Sequence, residues 1–520
     1  MAALFLSGGS IAAFAASSPT EQLVEIYARS RYTNWDGVTN VAQFKGPDGN
    51  LWYAVDGDDA VTVYKTKKGA PVAGAVKLKK PHPLFGTVIC DDAGYLYLVT
   101  GEANDTANTD KETVNTDKET IFISKFDGKG KHIKTVGDNG SSGLADYYGC
   151  SYYTRHPFSS GNCDAAVFGT TLTVHYARHM YSGHQSNSVF TVNTADLSKV
   201  DIGTFYESHS FAQRVVPTKD GFVYMSEGDC YERAFCVYRA ALSDGSLASS
   251  KEACIFDFWV RDGAFDDYDM FTVNNNFAHM GGLAALSDGK IAFAAQSVKS
   301  LSSAAASESE EIFIQIFDPD AALDTPAAYV TSGKRTGLAG NNGRTKVTNY
   351  GVKWLTAYGK DASIGNVQIV ATDKDKLVVL YELSRGEQYE GVWYIVLDAK
   401  GNVTRRAAQF DANARLNPCE TPVFADGSVC WVGNRYGEEA PRIYVWRLSP
   451  DAPQPAFLLG DVDNDGKITS ADARLALRAS VKLENYAKGS NAALAADYDK
   501  DGTITSSDAR LILRKSVGLT

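Results

Sequence analysis

Two twelve-residue stretches near the C-terminus hold the residues best placed to do chemistry. The first reads DVDNDGKITSAD over residues 461–472. The second reads DYDKDGTITSSD over residues 497–508, 36 residues further along. Carboxylates recur at positions 1, 3, 5 and 12: Asp461, Asp463, Asp465 and Asp472, then Asp497, Asp499, Asp501 and Asp508. Glycine fills position 6, where a loop closing on one point must turn sharply. A hard cation such as calcium takes about six to eight oxygen ligands, and this spacing wraps them round a single centre. Lys467 or Thr503 at position 7 would offer its carbonyl. Thr469 or Thr505 at position 9 would act directly or through water. From Phe457 to Thr520 there are nine acidic residues, and eight of them occupy these loop positions, which a merely solvated acidic face would not produce.

The elements that must hold the loops follow directly. Each loop runs into a predicted helix, ADARLALRASV at 471–481 and SDARLILRKSV at 507–517. Arg474, Arg478 and Lys482 fall four residues apart and make one basic stripe, repeated by Arg510 and Arg514. Leu477, Val481, Leu513 and Val517 supply apolar contacts on another side. On the two loops, the loop-to-helix order and the ARLALR/ARLILR stretches, residues 459–519 resemble a type I dockerin, the module that plugs into a cohesin domain of a cellulosome scaffold. The resemblance implies two bound calcium ions and an extracellular complex. It also implies cohesin contacts at Ser470, Ala471, Arg478 and Lys482 in the first copy, and at Ser506, Ser507 and Arg514 in the second. Gly518 departs from the basic pattern, so the two faces are not fully equivalent.

The N-terminus agrees with export. Residues 1–16 read as a signal peptide: Ala2 to Phe14 is mostly small and apolar, and Ala13 to Ala15 fits an A-x-A cleavage site, although no Lys or Arg precedes it. Net charge is −11, which argues against a nucleic-acid partner. No membrane span is expected, because no apolar run of sufficient length follows the N-terminus. Eight cysteines without a CxxC pair give no zinc motif; disulfides or reduced core thiols are both consistent with them.

Residues 22–449 read as all-β. Seven times a short turn, often Asp-Gly, precedes a β-rich run such as LWYAV (51–55), YLYLV (95–99) or LVVL (377–380), and a third strand follows each. A fixed antiparallel unit repeated this often predicts a seven-bladed β-propeller, with six or eight blades also compatible with the uneven spacing. Val24 to Ala28 is expected to close the ring beside the last blade. The stretch SPDAPQP at 449–455 marks a linker at 450–456, which leads to the dockerin-like module at 457–520.

In such a meander, the second-to-third loops and the inter-blade connections share one end, and here they are long. Five of the eight histidines map to that end: His156, His179, His184, His209 and His279. Arg155, Arg178, Arg214, Arg233, Asp229 and Glu232 lie in or beside the same loops. The candidate catalytic set is His156, His179, His184, His209 and Arg178, with Arg178 at the mouth of the group. Histidine would move a proton while arginine neutralises an anionic sugar. The expected functions are a polysaccharide hydrolase or lyase, or alternatively a non-catalytic carbohydrate-binding propeller, carried on the same scaffold.

Overall fold

The computed structural model describes residues 23–29, 36–104, 118–141, 153–181, 183–203, 205–207, 209–228, 234–257, 278–298, 309–320, 352–360, 362–451, 458–486, 491–499 and 502–519. Residues 1–16, expected to be a signal peptide, most of the expected linker, Asp229, Glu232, Arg233 and Asp501 lie outside them. The chain forms two compact units, one holding the β-sheets and the other the C-terminal helices.

The β unit is a seven-bladed propeller. Blade 1 runs Val41–Lys45, Leu51–Val55, Ala60–Lys67 and Val76–Lys79. Blade 2 runs Leu84–Cys90, Leu96–Gly101, Ile121–Phe126 and His132–Asp138. Blade 4 is Ser210–Thr218, Gly221–Gly228, Ala234–Ser243 and Ser246–Asp257; blade 5 is His279–Ala285, Ile291–Val298, Glu310–Phe317 and Lys353–Trp354. Blade 6 is Ala362–Ala371, Leu377–Arg385, Gln388–Leu397 and Val403–Asp411. Blade 7 is Val423–Ala425, Ser428–Gly433 and Tyr444–Leu448. Each inner strand packs beside the next, and Val423–Ala425 returns to Val41–Lys45, so the ring closes.

Blade 3 departs from the regular unit. Its inner strand is broken into Thr154–Pro157 and Cys163–Phe168, both paired to Thr171–Met180. Its third strand is Gln185–Asn193, and its outer strand shrinks to a single bridge between Val192 and Lys199.

The apolar runs form strands with two buried faces, because a blade is covered on both sides. In blade 1, Trp52 and Ala54 pack toward blade 2, while Leu51, Tyr53 and Val55 pack toward blade 7. The period of two divides one continuous apolar run between two cores. The second strand of every blade carries at least one fully buried aromatic: Tyr53, Tyr97, Tyr176, Phe222 with Tyr224, Phe293, Tyr381 and Trp431. Tight turns link the strands. Asp426 and Gly427 both sit at positive φ (48° and 70°), the pairing a two-residue hairpin requires.

The N-terminal segment closes the circle as the sequence suggests. Leu23 bridges Arg442 beside blade 7. The Asn434 amide accepts from Ile26 N at 2.6 Å and donates to Val24 O and Arg442 O, both at 2.9 Å. Asn40 grips the same segment from blade 1, accepting from Tyr27 N and donating to Glu25 O, each at 2.9 Å.

The second unit contains α1 (Ser470–Ser480), α2 (Asn491–Ala496) and α3 (Ser506–Ser516). Its core comprises Val462, Ala473, Ala476, Ala496, Ala509 and Ile512. Leu477, Val481, Leu513 and Val517 are instead between 45% and 62% exposed, so the helices meet through their small residues and these four face solvent. No helix among the described residues is long and apolar enough to cross a membrane.

Candidate functional sites

Four of the histidines predicted from sequence stand in two pairs. His156 and His179 are register partners in blade 3, with ring centroids 5.8 Å apart. His184 and His209 form a second pair, with centroids 5.1 Å apart. Arg178 is wholly buried inside the blade rather than at a mouth. Its Nε donates to Ser186 Oγ at 2.8 Å and to Asn187 O at 3.1 Å, and its Nη1 donates to Gly140 O. A guanidinium held by backbone carbonyls in this way ties strands together. The alternation of strands puts Arg178 beside the histidines in sequence while turning its side chain into the blade.

A different set meets near the propeller axis. Inner strands begin, second strands end and third strands start at one end of an up-and-down blade, and there the ring gathers residues remote in sequence. Arg214, on the inner strand of blade 4, is buried and pairs with Asp36 at 3.2 Å. Asp164 opens the inner strand of blade 3 and accepts from Val215 N and Ala165 N, each at 2.9 Å. Glu420, entering blade 7, accepts from Thr39 Oγ1 and from Gln43 N of blade 1, each at 3.2 Å. Burial lowers the Arg214 pKa, but the charges of Asp36, Cys419, Asp164 and Glu420 outweigh it and hold the pKa above normal.

The acids respond in the opposite sense. Burial, reinforced by Asp164, pushes Glu420 up to about 8 against the pull of Gln43 N, Thr39 and Arg214. Burial raises Asp164 too, against Arg214 and its two backbone donors. His279 is lowered by burial, opposed by Asp36. The arrangement sets Glu420, a buried carboxyl group whose pKa is raised, and the Arg214–Asp36 ion pair about the same guanidinium. Sequence reading included Arg214 and His279 but missed Asp36, Asp164 and Glu420. The available signal was an ionisable residue at the start of an otherwise apolar inner strand, as Asp164 is in CDAAVF (163–168).

Some acids of this kind also clasp neighbouring blades. Glu227 accepts from Met280 N at 3.0 Å, and Glu382 accepts from Leu416 N at 2.8 Å. Among the described residues, Cys90, Cys163, Cys419 and Cys430 are free thiols.

In the helical unit, the two copies fold alike. Carboxylate oxygens of Asp461, Asp463 and Asp472 lie within 4.8 Å of one another, as do those of Asp497, Asp499 and Asp508. Gly466 and Gly502 adopt φ of 87° and 90°, the left-handed turn only glycine takes without strain. Asp465 Oδ1 accepts from Lys467 N at 2.8 Å, and Asp465 stands outside the convergent trio. Burial, together with the charges of Asp465 and Asp472, raises Asp461 to about 6 despite donors from Gly466 and Asp465 N. Crowded carboxylates of this kind, all-oxygen and close together, fit a calcium ion.

Thr469 and Thr505 are helix N-caps as well as loop position 9. Each hydroxyl donates to position 12, Asp472 at 2.9 Å or Asp508 at 3.0 Å, and accepts from the backbone two residues on. The loop's last carboxylate thereby also caps the helix that follows. Ser470, Ala471, Ser506 and Ser507 open α1 and α3. Arg478, in the last turn of α1, pairs with Glu484 at 2.9 Å.

Residues 459–515 match the dockerin type I domain family. No curated protein matches the chain. Among solved structures, it is similar to a member of the DUF4221 family from Bacteroides vulgatus, with TM-score 0.36, 9% identity and coverage of 84% of this chain and 97% of that one. A PL25 ulvan lyase bound to -[GlcA(1-4)Rha3S]- gives TM-score 0.41, 9% identity and coverage of 82% and 96%. An α-L-arabinanase from Penicillium chrysogenum complexed with arabinobiose gives 0.34, 10%, 82% and 97%. The propeller assignment rests on the chain's own seven sheets. The C-terminal module is a type I dockerin, a domain that binds calcium and docks on cohesin.

Proposed function

We propose that this chain is an exported component of a cohesin-bearing scaffold, and that its propeller hydrolyses a polysaccharide with carboxyl groups gathered at the axis. The observation that carries the second part is the grouping of Asp36, Asp164 and Glu420 about Arg214. Hydrolysis of a glycosidic bond needs one carboxylic acid to protonate the leaving oxygen and one carboxylate to activate water or attack. Glu420, whose pKa burial raises to about 8, is the acid, and Asp36, paired with Arg214, is the carboxylate. His156, His179, His184 and His209 are ligand contacts at the same end of the ring. Two calcium ions in the dockerin loops hold the docking surface of Ser470, Ala471, Arg478, Lys482, Ser506, Ser507 and Arg514.

A second reading, glycan binding without catalysis, is favoured by the backbone hydrogen bonds that Glu420 and Asp164 accept between neighbouring blades. Full-length protein in calcium, screened against neutral and uronate-containing polysaccharides, separates the two. Hydrolysis releases reducing ends without unsaturated product, and Glu420→Gln lowers kcat about 100-fold. Retention of a glycan without product supports the binding reading. Product formation unaffected by Glu420→Gln and Asp36→Asn sinks the axial assignment, and an unsaturated product shows elimination instead.

A further inference from the structure

We infer that His184 and His209, assigned above as ligand contacts, form a binding site for a d-block divalent cation such as zinc, which requires neither the axial acids nor the calcium loops. His184 Nδ1 and His209 Nε2 face each other at 3.3 Å, with the rings nearly perpendicular at 78°. Zinc–imidazole bonds are about 2.0–2.1 Å long, so two ligands at a tetrahedral angle stand about 3.3–3.4 Å apart. Without a metal the two nitrogens share a hydrogen bond at this distance, so one ring nitrogen carries the proton that a metal would replace.

Backbone hydrogen bonds hold the two histidine backbones side by side. His184 ends the tight turn from Met180, whose N–H donates to His184 O at 2.9 Å. His209 N donates at 2.7 Å to Gln185 O, the carbonyl next to His184. His209 also holds φ at 52°, an unfavourable conformation for a residue with a side chain, and it sits at the end of the propeller that gathers the other ionisable groups. The turn therefore brings two imidazoles from adjacent blades to chelating distance before any ion arrives.

The ligand chemistry selects the metal. Two imidazole nitrogens suit zinc, copper or nickel, whereas calcium prefers oxygen. Among the described residues, convergent groups of three or more acidic, cysteine or histidine ligands occur only at the dockerin aspartates. A cation at His184 and His209 would complete its coordination with water or a hydroxyl-bearing ligand. Binding requires both facing nitrogens to be unprotonated, so metal displaces any proton held between them.

The test uses full-length protein stripped with chelator and returned to saturating calcium, which fills the aspartate loops before zinc is added. Calorimetric titration with zinc, and visible absorption with cobalt, read the histidine pair. One zinc per chain is expected in the unmodified protein. His184→Ala and His209→Ala should each weaken zinc binding at least about ten-fold and lose the cobalt band. His132→Ala, which removes an exposed imidazole bonded to Thr135 on the outer strand of blade 2, should bind as the unmodified protein does. Zinc should raise the melting midpoint of the unmodified protein and of His132→Ala alone. Where alanine lowers the metal-free midpoint, His184→Gln reads the same site with its bulk retained. No zinc uptake by the unmodified protein, or undiminished affinity in folded His184 and His209 variants, overturns the inference.

Discussion

His175 Nδ1 donates to the backbone carbonyl of Arg214, 3.1 Å away, and so fixes the strand that carries the axial guanidinium from a side chain in the neighbouring blade. Its Nε2 accepts from Asn187 Nδ2 at 3.1 Å, which settles the neutral tautomer. Burial lowers the pKa of this imidazole to about 4, with the Arg214 charge lowering it further and the bond to the Arg214 carbonyl raising it. A folded pKa below the ordinary 6.5 means that the unfolded chain takes up the proton first as pH falls. The stability contributed by neutral His175 is present above pH 6.5 and is lost as pH falls toward about 4. Urea unfolding of His175→Gln should lack that part of the pH slope and show a loss of about 1–3 kcal/mol at pH 7. Equal slopes in the two proteins would refute the assignment.

Glu420 gives a different window. Its folded pKa of about 8 exceeds the ordinary 4.5, so the unfolded state deprotonates first as pH rises. Its stabilising contribution is complete below pH 4.5 and is lost as pH rises toward about 8. Glu420→Gln removes the charge and preserves acceptor capacity for Gln43 N. The variant should match the unmodified protein at pH 4.5 and exceed it in stability at pH 8. A constant difference across the window would show that Glu420 does not titrate there.

Asn434 tests the ring closure. Replacing it with Ala removes the bonds to Ile26 N, Val24 O and Arg442 O and leaves backbone groups at the closing seam without that partner. A loss of about 2–4 kcal/mol in urea unfolding is expected. A change below about 0.5 kcal/mol would mean that the N-terminal segment closes the ring without this clamp.

Calcium should fold the dockerin. The convergent aspartates repel one another without a cation, and metal affinity of this kind becomes folding free energy. Circular dichroism of residues 457–520 should gain helix on calcium titration, and Asp461→Ala and Asp497→Ala should each remove one site. Full helicity in excess chelator contradicts this account.

Cohesin binding should survive loss of either basic stripe and fail when both are removed. The comparison is Arg478→Ala with Lys482→Ala, Arg514→Ala, and the triple change. Arg478 spends part of its charge on Glu484, and the second copy ends on Gly518, so the two faces need not contribute equally. If the first double change alone abolishes binding, one face dominates and docking in two orientations fails.

The sequence by itself determined the local objects. The DxDxDG spacing defines two loops, because each ligand set is contiguous and a glycine must turn it. The seven apolar runs predict seven blades, with six or eight also compatible, because a strand covered on both faces stays apolar throughout, and an aromatic residue stands in each second strand from Tyr53 to Trp431. Only the tertiary structure decided which ionisable groups meet. Asp36, Asp164, Arg214 and Glu420 sit singly on four stretches of chain and become neighbours when the ring closes. Arg178 and the histidines share a stretch of sequence, yet strand alternation turns the guanidinium inward onto Gly140 and Asn187. Proximity along a chain is fixed by covalent geometry, whereas proximity around a propeller axis depends on burying both faces of every blade at once, and no short window of sequence contains that condition.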